Sequence, residues 1–285
     1  MRRSVRLRSF LAVSALALVG VPGAALADTG TSSNWSGYAA HKSGVTFRNV
    51  TALWRQPKAV CTPGSATYSA MWVGLGGYDL NASALEQIGT ELDCSTSGAV
   101  VSSAWYELVP APSTDIAMTV RSGDLMSGTV TVIGHSVTLS LTNRTLHKTF
   151  SRTINESALD VTSAEWIVEA PSECFTNDQC QTLPLADFGS AHFSGAGAQT
   201  TARQTGSISS RLWGTTKITL VPGGRTYIAY GTAARATPSP LQNSGTTFQV
   251  AYSQTTLNPP PSPFFAKNAS AARPISAIQP GGRRR

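Results

Sequence analysis

The chain predicts an all-β fold, a β-sandwich of two antiparallel sheets, and three observations predict it. Short runs of alternating or β-branched apolar residues recur from Asn34 to Gln254, separated by Gly, Ser, Asn and Pro, with no helical period. Only 13% of the residues are charged, while Ser, Thr and Gly are frequent, a balance that suits pleated surfaces and tight turns. No unit recurs at a fixed period, which argues against a propeller or a solenoid.

Taken in order, the first element is a leader. Residues 1–27 combine Arg2, Arg3, Arg6 and Arg8 with an apolar run from Phe10 to Val21 and Ala25-Leu26-Ala27 before Asp28. That combination reads as a secretory signal peptide, so the mature protein is expected to be secreted and extracellular. No later apolar run approaches the ~20 residues that a bilayer crossing needs, and no membrane contact is expected once the leader is gone.

Residues 28–255 read as the sandwich domain. Its expected strands are Val45 to Arg55, Ser69 to Gly74, Ala84 to Leu92, Val101 to Val109, Ile116 to Val120, Leu125 to Ile133 and Ser136 to Asn143, followed by Lys148 to Thr153, Ala164 to Glu169, Ala186 to Phe193, Leu212 to Thr219 and Phe248 to Tyr252. Residues 256–285 change character, with Pro259, Pro260, Pro261 and Pro263, then Ala, Ser and Gly, then Arg283 to Arg285. This composition reads as a disordered tail.

The formal charge of +7 belongs to the two ends. Of the 22 basic residues, four lie in the leader and five after Gln254, so the body carries thirteen against all 15 acids. A slightly acidic body lacks the footprint of a nucleic-acid binder.

Cys61, Cys94, Cys174 and Cys180 are an even set for an oxidising compartment. Three connectivities are open. The short loop between Cys174 and Cys180 favours their pairing, which leaves Cys61 with Cys94. The spacing does not suit zinc knuckles, and neither a metal nor another cofactor is expected.

The stretch Ser163 to Glu169 sets two acids in a strand otherwise fit for a core. Alternation puts Glu165, Ile167 and Glu169 on one side and Ala164, Trp166 and Val168 on the other. An unpaired buried carboxylate costs several kcal/mol or takes up a proton, so that face is either wet or at work. Three other segments have unusual faces. Trp72 shares a side with Gly74 and Gly76, Gln87 with Gly89 and Glu91, and Trp105 with Glu107. The glycines beside Trp72 would leave room for a ligand chain. Singly, each segment suits an ordinary core or surface strand as well.

Together, and in this order, these segments resemble the eqolisin family of glutamic peptidases. The resemblance runs from Ser33-Asn34-Trp35-Ser36-Gly37 through Val50 to Pro57, Trp72-Val73-Gly74, Leu85-Glu86-Gln87-Ile88-Gly89, Ala104-Trp105-Tyr106-Glu107 and Ala164 to Glu169, and closes on the cysteine-bracketed loop and Leu183 to Phe188. It implies a sandwich whose concave face is the substrate cleft, with a catalytic dyad carried here by Gln87 and Glu165. Trp72, Trp105 and Glu107 would be cleft neighbours that bind substrate, with Glu91 and Glu169 nearby. Two positions depart from the family pattern: Gly76 stands in place of an acid and Val109 in place of a tyrosine.

The implied chemistry is peptide-bond hydrolysis by an acid endopeptidase, a monomer acting on polypeptides and indifferent to inhibitors of pepsin-like enzymes. Glu165 would serve as general base on water and then as general acid, while the Gln87 amide would stabilise the oxyanion. Two rivals remain. A carbohydrate- or surface-binding sandwich could use Trp72 and Trp105 as stacking platforms. A glycoside hydrolase would need paired acids such as Glu107 and Glu165 facing each other without an amide between them. A serine hydrolase is disfavoured, since no G-x-S-x-G elbow occurs.

Overall fold

The computed structural model describes residues 27–79, 82–176, 179–221 and 231–257. The segments read as leader and tail fall outside these residues, apart from Ala27, Thr256 and Leu257. In chain order the strands are β1 (Asp28–Ser32), β2 (Trp35–His41), β3 (Phe47–Arg55), β4 (Ala70–Gly76), β5 (Leu85–Cys94), β6 (Val100–Val109), β7 (Thr114–Ile116), β8 (Leu125–Ile133) and β9 (Ser136–Asn143). Then follow β10 (Lys148–Asn155), β11 (Ser163–Glu169), β12 (Ser172–Thr176), β13 (Gln179–Thr182), β14 (Ser190–Thr200), β15 (Thr205–Ser207), β16 (Gly214–Leu220), β17 (Gly231–Pro238) and β18 (Phe248–Leu257).

One hydrogen-bonded path runs β10-β9-β8-β3-β14-β18-β17-β16-β2-β11-β4-β5-β6-β7. It turns over between β17 and β16, which among the described residues share the pair Leu220 and Ala236. The result is a sandwich: β16 through β7 form a front layer and β10 through β17 a back layer, with β3, β8 and β9 packed against β4, β5 and β11. Pairing along the path is antiparallel, and β1 adds to β16 in parallel.

The alternation seen in sequence explains the packing. Val73, Ile88, Ala164, Trp166 and Val168 of the front layer and Val50, Trp54, Val130 and Leu139 of the back layer share one buried cluster. Two indoles tie the layers by crossing between them: Trp54 Nε1 donates to Thr90 Oγ1 at 2.9 Å and Trp166 Nε1 to the Thr51 carbonyl at 2.9 Å. Each indole therefore buries its ring without leaving its N–H unpaired.

The strands expected at Leu125 to Ile133 and Ser136 to Asn143 match β8 and β9 residue for residue. Three differences have physical causes. β2 was not foreseen because Trp35-Ser36-Gly37-Tyr38-Ala39-Ala40 is rich in small residues, yet those residues let it lie close against β11. At Gly37, with φ +152°, a Cβ would collide with the Trp166 carbonyl oxygen. The strand expected at Ala186 to Phe193 instead begins at Ser190, after a turn in which Asp187 Oδ1 accepts the Gly189 N–H. It continues through Ser194 to Gly197, where the ladder to β3 shifts register as a bulge. The strand expected at Ile116 to Val120 is the short β7, which reaches only Ile116.

Cys61 and Cys94 form a disulfide across 33 residues of sequence, fastening the end of β5 to the segment before β4. Closing a loop of that length contributes about 4 kcal/mol by chain entropy. Cys174 and Cys180 stand opposite one another in the β12–β13 hairpin, and their side chains lie outside the described residues.

Candidate active site

In an antiparallel ladder, directly opposed residues point to the same side. Following the register across the front layer gives a row of Ala39, Glu165, Gly74, Gln87 and Glu107. The next row on the same face is Gly37, Ile167, Trp72, Gly89 and Trp105, and the one after it Trp35, Glu169, Ala70, Glu91 and Ser103. All seven residues singled out from sequence thus share the face turned away from the sandwich interior. Leu85, Val109 and Ile218 join Trp35, Trp72, Trp105 and Ile167 in a second apolar cluster on that face.

Gly74 is the pivot of the central row. It separates Glu165 from Gln87, which places their Cα atoms two strand spacings apart, about 10 Å. A side chain there would intrude on the gap between them, since a Cβ would lie 3.0 Å from Trp72 Cζ3 and 3.1 Å from the Glu86 carbonyl and Leu85 Cδ1. Trp72 is held at its other end, where its Nε1 donates to Glu169 Oε2 at 2.8 Å. Its ring therefore runs from Glu169 toward the gap and floors it. The bare Gly89 admits the ring, because a Cβ there would come within 2.6 Å of Trp72 Cβ. Trp35 meets Trp72 edge to face at 5.0 Å.

The Gln87 amide is aimed by Glu107: Nε2 donates to Glu107 Oε2 at 2.7 Å, while Gln87 Oε1 accepts no hydrogen bond among the described residues. Nε2 has a second hydrogen to offer. Glu91 Oε2 accepts from the Ser103 hydroxyl at 3.1 Å. Glu169 is an anchoring carboxyl, taking Asn34 Nδ2 at 3.1 Å on its other oxygen. Glu165 differs from all of these. It has no exposed surface, and among the described residues neither of its oxygens has a hydrogen-bond partner.

Burial is the chief influence on the acids. It pushes Glu165 well above the ordinary carboxyl range, and the Asp160 and Glu86 charges push the same way. The Ser163 hydroxyl opposes this from nearby, although it makes no hydrogen bond of ordinary geometry. Burial likewise carries Glu169 to about 8 against the pull of Trp72, Trp35 and Asn34. Of these, the Trp35 indole N–H lies close without completing a bond. As arranged, Glu169 holds its proton at neutral pH, and burial favours the protonated form of Glu165.

Several neighbours escaped the sequence reading. Tyr78, in the turn after β4, stacks on His41 with centroids 4.2 Å apart and donates to Thr216 Oγ1 at 2.9 Å, while His41 Nε2 shares a 2.9 Å hydrogen bond with that same oxygen. Burial raises the Tyr78 phenol, and the Asp28 and Glu165 charges push the same way. Glu86, which alternation turns into the sandwich interior, is buried and carried to about 8 by desolvation. Nothing in the sequence marked it apart from its neighbours.

The space expected beside Trp72 is filled. At Gly76 a Cβ would stand 2.6 Å from Asp160 Cβ, and Asp160 Oδ2 accepts the Gly77 N–H at 3.1 Å. A carboxylate from the segment before β11 thus occupies the corner where the family pattern places an acid on β4. Among the described residues, no group of three or more His, Cys, Asp and Glu is arranged to hold a metal ion.

A model of the Peptidase A4 family matches residues 33–233. No curated protein matches the chain. Among solved structures, scytalido-glutamic peptidase bound to a transition state analog inhibitor is 27% identical with a TM-score of 0.61, the match covering 78% of this chain and 98% of that one. The same enzyme with a peptide-based transition state analog gives 25% identity and 0.60 over the same shares. SCP-B, a member of the eqolisin family of peptidases solved with the tripeptide Ala-Ile-His, is similar in fold, with 24% identity, a TM-score of 0.58 and coverage of 78% and 98%.

Proposed function

The chain belongs to the Peptidase A4 family and is a peptidase, and from that premise we propose that it is a glutamic endopeptidase in which Glu165 and Gln87 perform the chemistry. The observation that carries this reading is the register row in which both residues flank Gly74 and face the same way. Glu165 removes a proton from a water molecule, whose oxygen attacks the peptide carbonyl carbon. The carbonyl electrons move to oxygen, and the free N–H of Gln87 Nε2 receives that charge while Glu107 fixes the amide. Glu165 then passes its proton to the leaving nitrogen, the C–N bond breaks, and the carboxylate is restored.

The base form is drawn out as the site fills. Burial holds the proton on Glu165, whereas a water and a peptide group supply donors that return a carboxyl toward its ordinary range. With carboxyls as the titrating groups beside the dyad, activity belongs at acid pH.

The rivals fit less well. Gln87 stands between Glu165 and Glu107 in the row, whereas paired-acid glycoside hydrolysis needs two carboxyls facing each other. Trp72 and Trp105 are buried at 0% and 4% exposure, so neither offers a free face for stacking sugars. Export is part of the same proposal, supported by the leader-like residues 1–27 and the Cys61–Cys94 bond.

The test is digestion of an unfolded protein across pH, with an inhibitor of pepsin-like peptidases present. Turnover in acid that disappears with Glu165→Gln supports the assignment, and turnover by that variant at the unmodified rate defeats it.

A further inference from the structure

The folded-over sheet leaves its two ends, β7 and β10, as free edges, and they meet across a seam between the layers. A cavity of about 560 Å³ lies there, bounded by residues of both edges, within the size range of small-ligand sites. Its floor is apolar. Tyr106 and Phe150 stack across the seam with centroids 5.8 Å apart and planes 20° apart, and Ile116 is buried beside them. Its rim is cationic, with Arg121, Lys148 and Arg152 against the single acid Asp115. Three of the body's thirteen basic residues gather here, although that body carries more acids than bases. Arg152 is already fixed in place, since Nη1 donates to the Tyr106 hydroxyl at 2.7 Å and its Cζ lies 5.6 Å from the ring centroid.

We infer that this seam binds the C-terminal end of an extended peptide, with an apolar last side chain on the Tyr106–Phe150 floor and the α-carboxylate among Arg121, Lys148 and Arg152. An apolar floor under a cationic rim selects an anion with an apolar body, and a guanidinium matches a carboxylate in planar geometry. The choice of a peptide over a free fatty or aromatic acid comes from the β10 wall, the terminal strand of the path, whose outer edge can offer N–H and C=O groups to an incoming chain. The site lies behind the proposed dyad face, because Tyr106 points into the sandwich while Trp105 and Glu107 on the same strand point out. The inference does not require the dyad assignment, since any peptide-bond hydrolysis releases such chain ends.

The test is calorimetric titration of the full chain at about pH 5.5, where an α-carboxyl is ionised, with N-acetyl-Leu-Leu-Phe, its C-terminal amide and decanoate as probes. Expected is saturable binding of the free acid that weakens about tenfold for the amide and for decanoate. The exposed double variant Arg121→Gln/Lys148→Gln is expected to lose about the same factor while melting at the unmodified temperature. Gln87→Ala is expected to bind as the unmodified chain does. Equal binding of acid and amide, no loss in the double variant, or loss in Gln87→Ala overturns the site. Decanoate binding as tightly as the tripeptide overturns the peptide assignment.

Discussion

Glu165 and Gln87 occupy matched register positions on either side of Gly74, on strands that are not neighbours, and both face away from the sandwich core. Their meeting is a property of the sheet: β4 sets the distance and Trp72 floors the gap.

Gln87→Ala removes the donor but leaves the strand. Losing one oxyanion donor costs about 3–4 kcal/mol of barrier, so kcat is expected to fall roughly 10²–10³-fold with KM little changed, as read by steady-state kinetics on a fluorogenic peptide. Glu165→Gln removes base and acid together and is expected to lose more. Its melting temperature at neutral pH should be no lower than that of the unmodified chain, because a buried group that resists ionisation has become a neutral amide. A clear fall there assigns Glu165 to folding.

Gly74→Ala tests the pivot. The new methyl would press on Trp72 Cζ3 and the Glu86 carbonyl, an overpacking cost of about 1–3 kcal/mol. Activity is expected to drop at least about tenfold, because near-attack geometry tolerates little displacement, while far-UV circular dichroism stays unchanged. Full activity would show that the gap does not position the dyad.

Stability should be greatest in acid and decline toward neutrality. Glu86 and Glu169 titrate near 4.5 when unfolded and near 8 when folded. Below 4.5 both states hold the proton and the stability is fully present. Between 4.5 and 8 the unfolded chain releases protons that the folded chain keeps, so stability is lost as pH rises through that window. Each group contributes on the order of a few kcal/mol. Thermal melts at about pH 4 and pH 8 should differ by many degrees, and Glu86→Gln should narrow that difference. An unchanged difference would mean that Glu86 is solvated.

Cys61→Ala opens the cross-link at the end of the strand that carries Gln87. The expected loss is about 4 kcal/mol, measured as a lower denaturant midpoint, with the unmodified chain falling to match once a reductant is added. Loss of activity without loss of stability would contradict a purely structural role.

Alternation made β8, β9 and β11 readable and put the two acids of β11 on one face before any coordinates. What the sequence could not convey was how the strands neighbour one another. Gln87 and Glu165 are 78 residues apart in a chain whose ladder order is not its sequence order, and only the family resemblance paired them. β2 was hidden because small residues weaken a periodic signal even as they permit close packing. Gly74 and Gly76 looked like open space, and a neighbouring indole and Asp160 fill it. Glu86 was invisible because the burial that raises its pKa depends on tertiary packing, including Asp160 from 74 residues along the chain.

The protonated carboxyls have one more consequence. Glu86 and Glu169, both carried to about 8, keep their hydrogens in acid, so they add no charge that draws in cationic peptides or repels anionic ones. Their part in any choice of substrate is then confined to shape and hydrogen bonding.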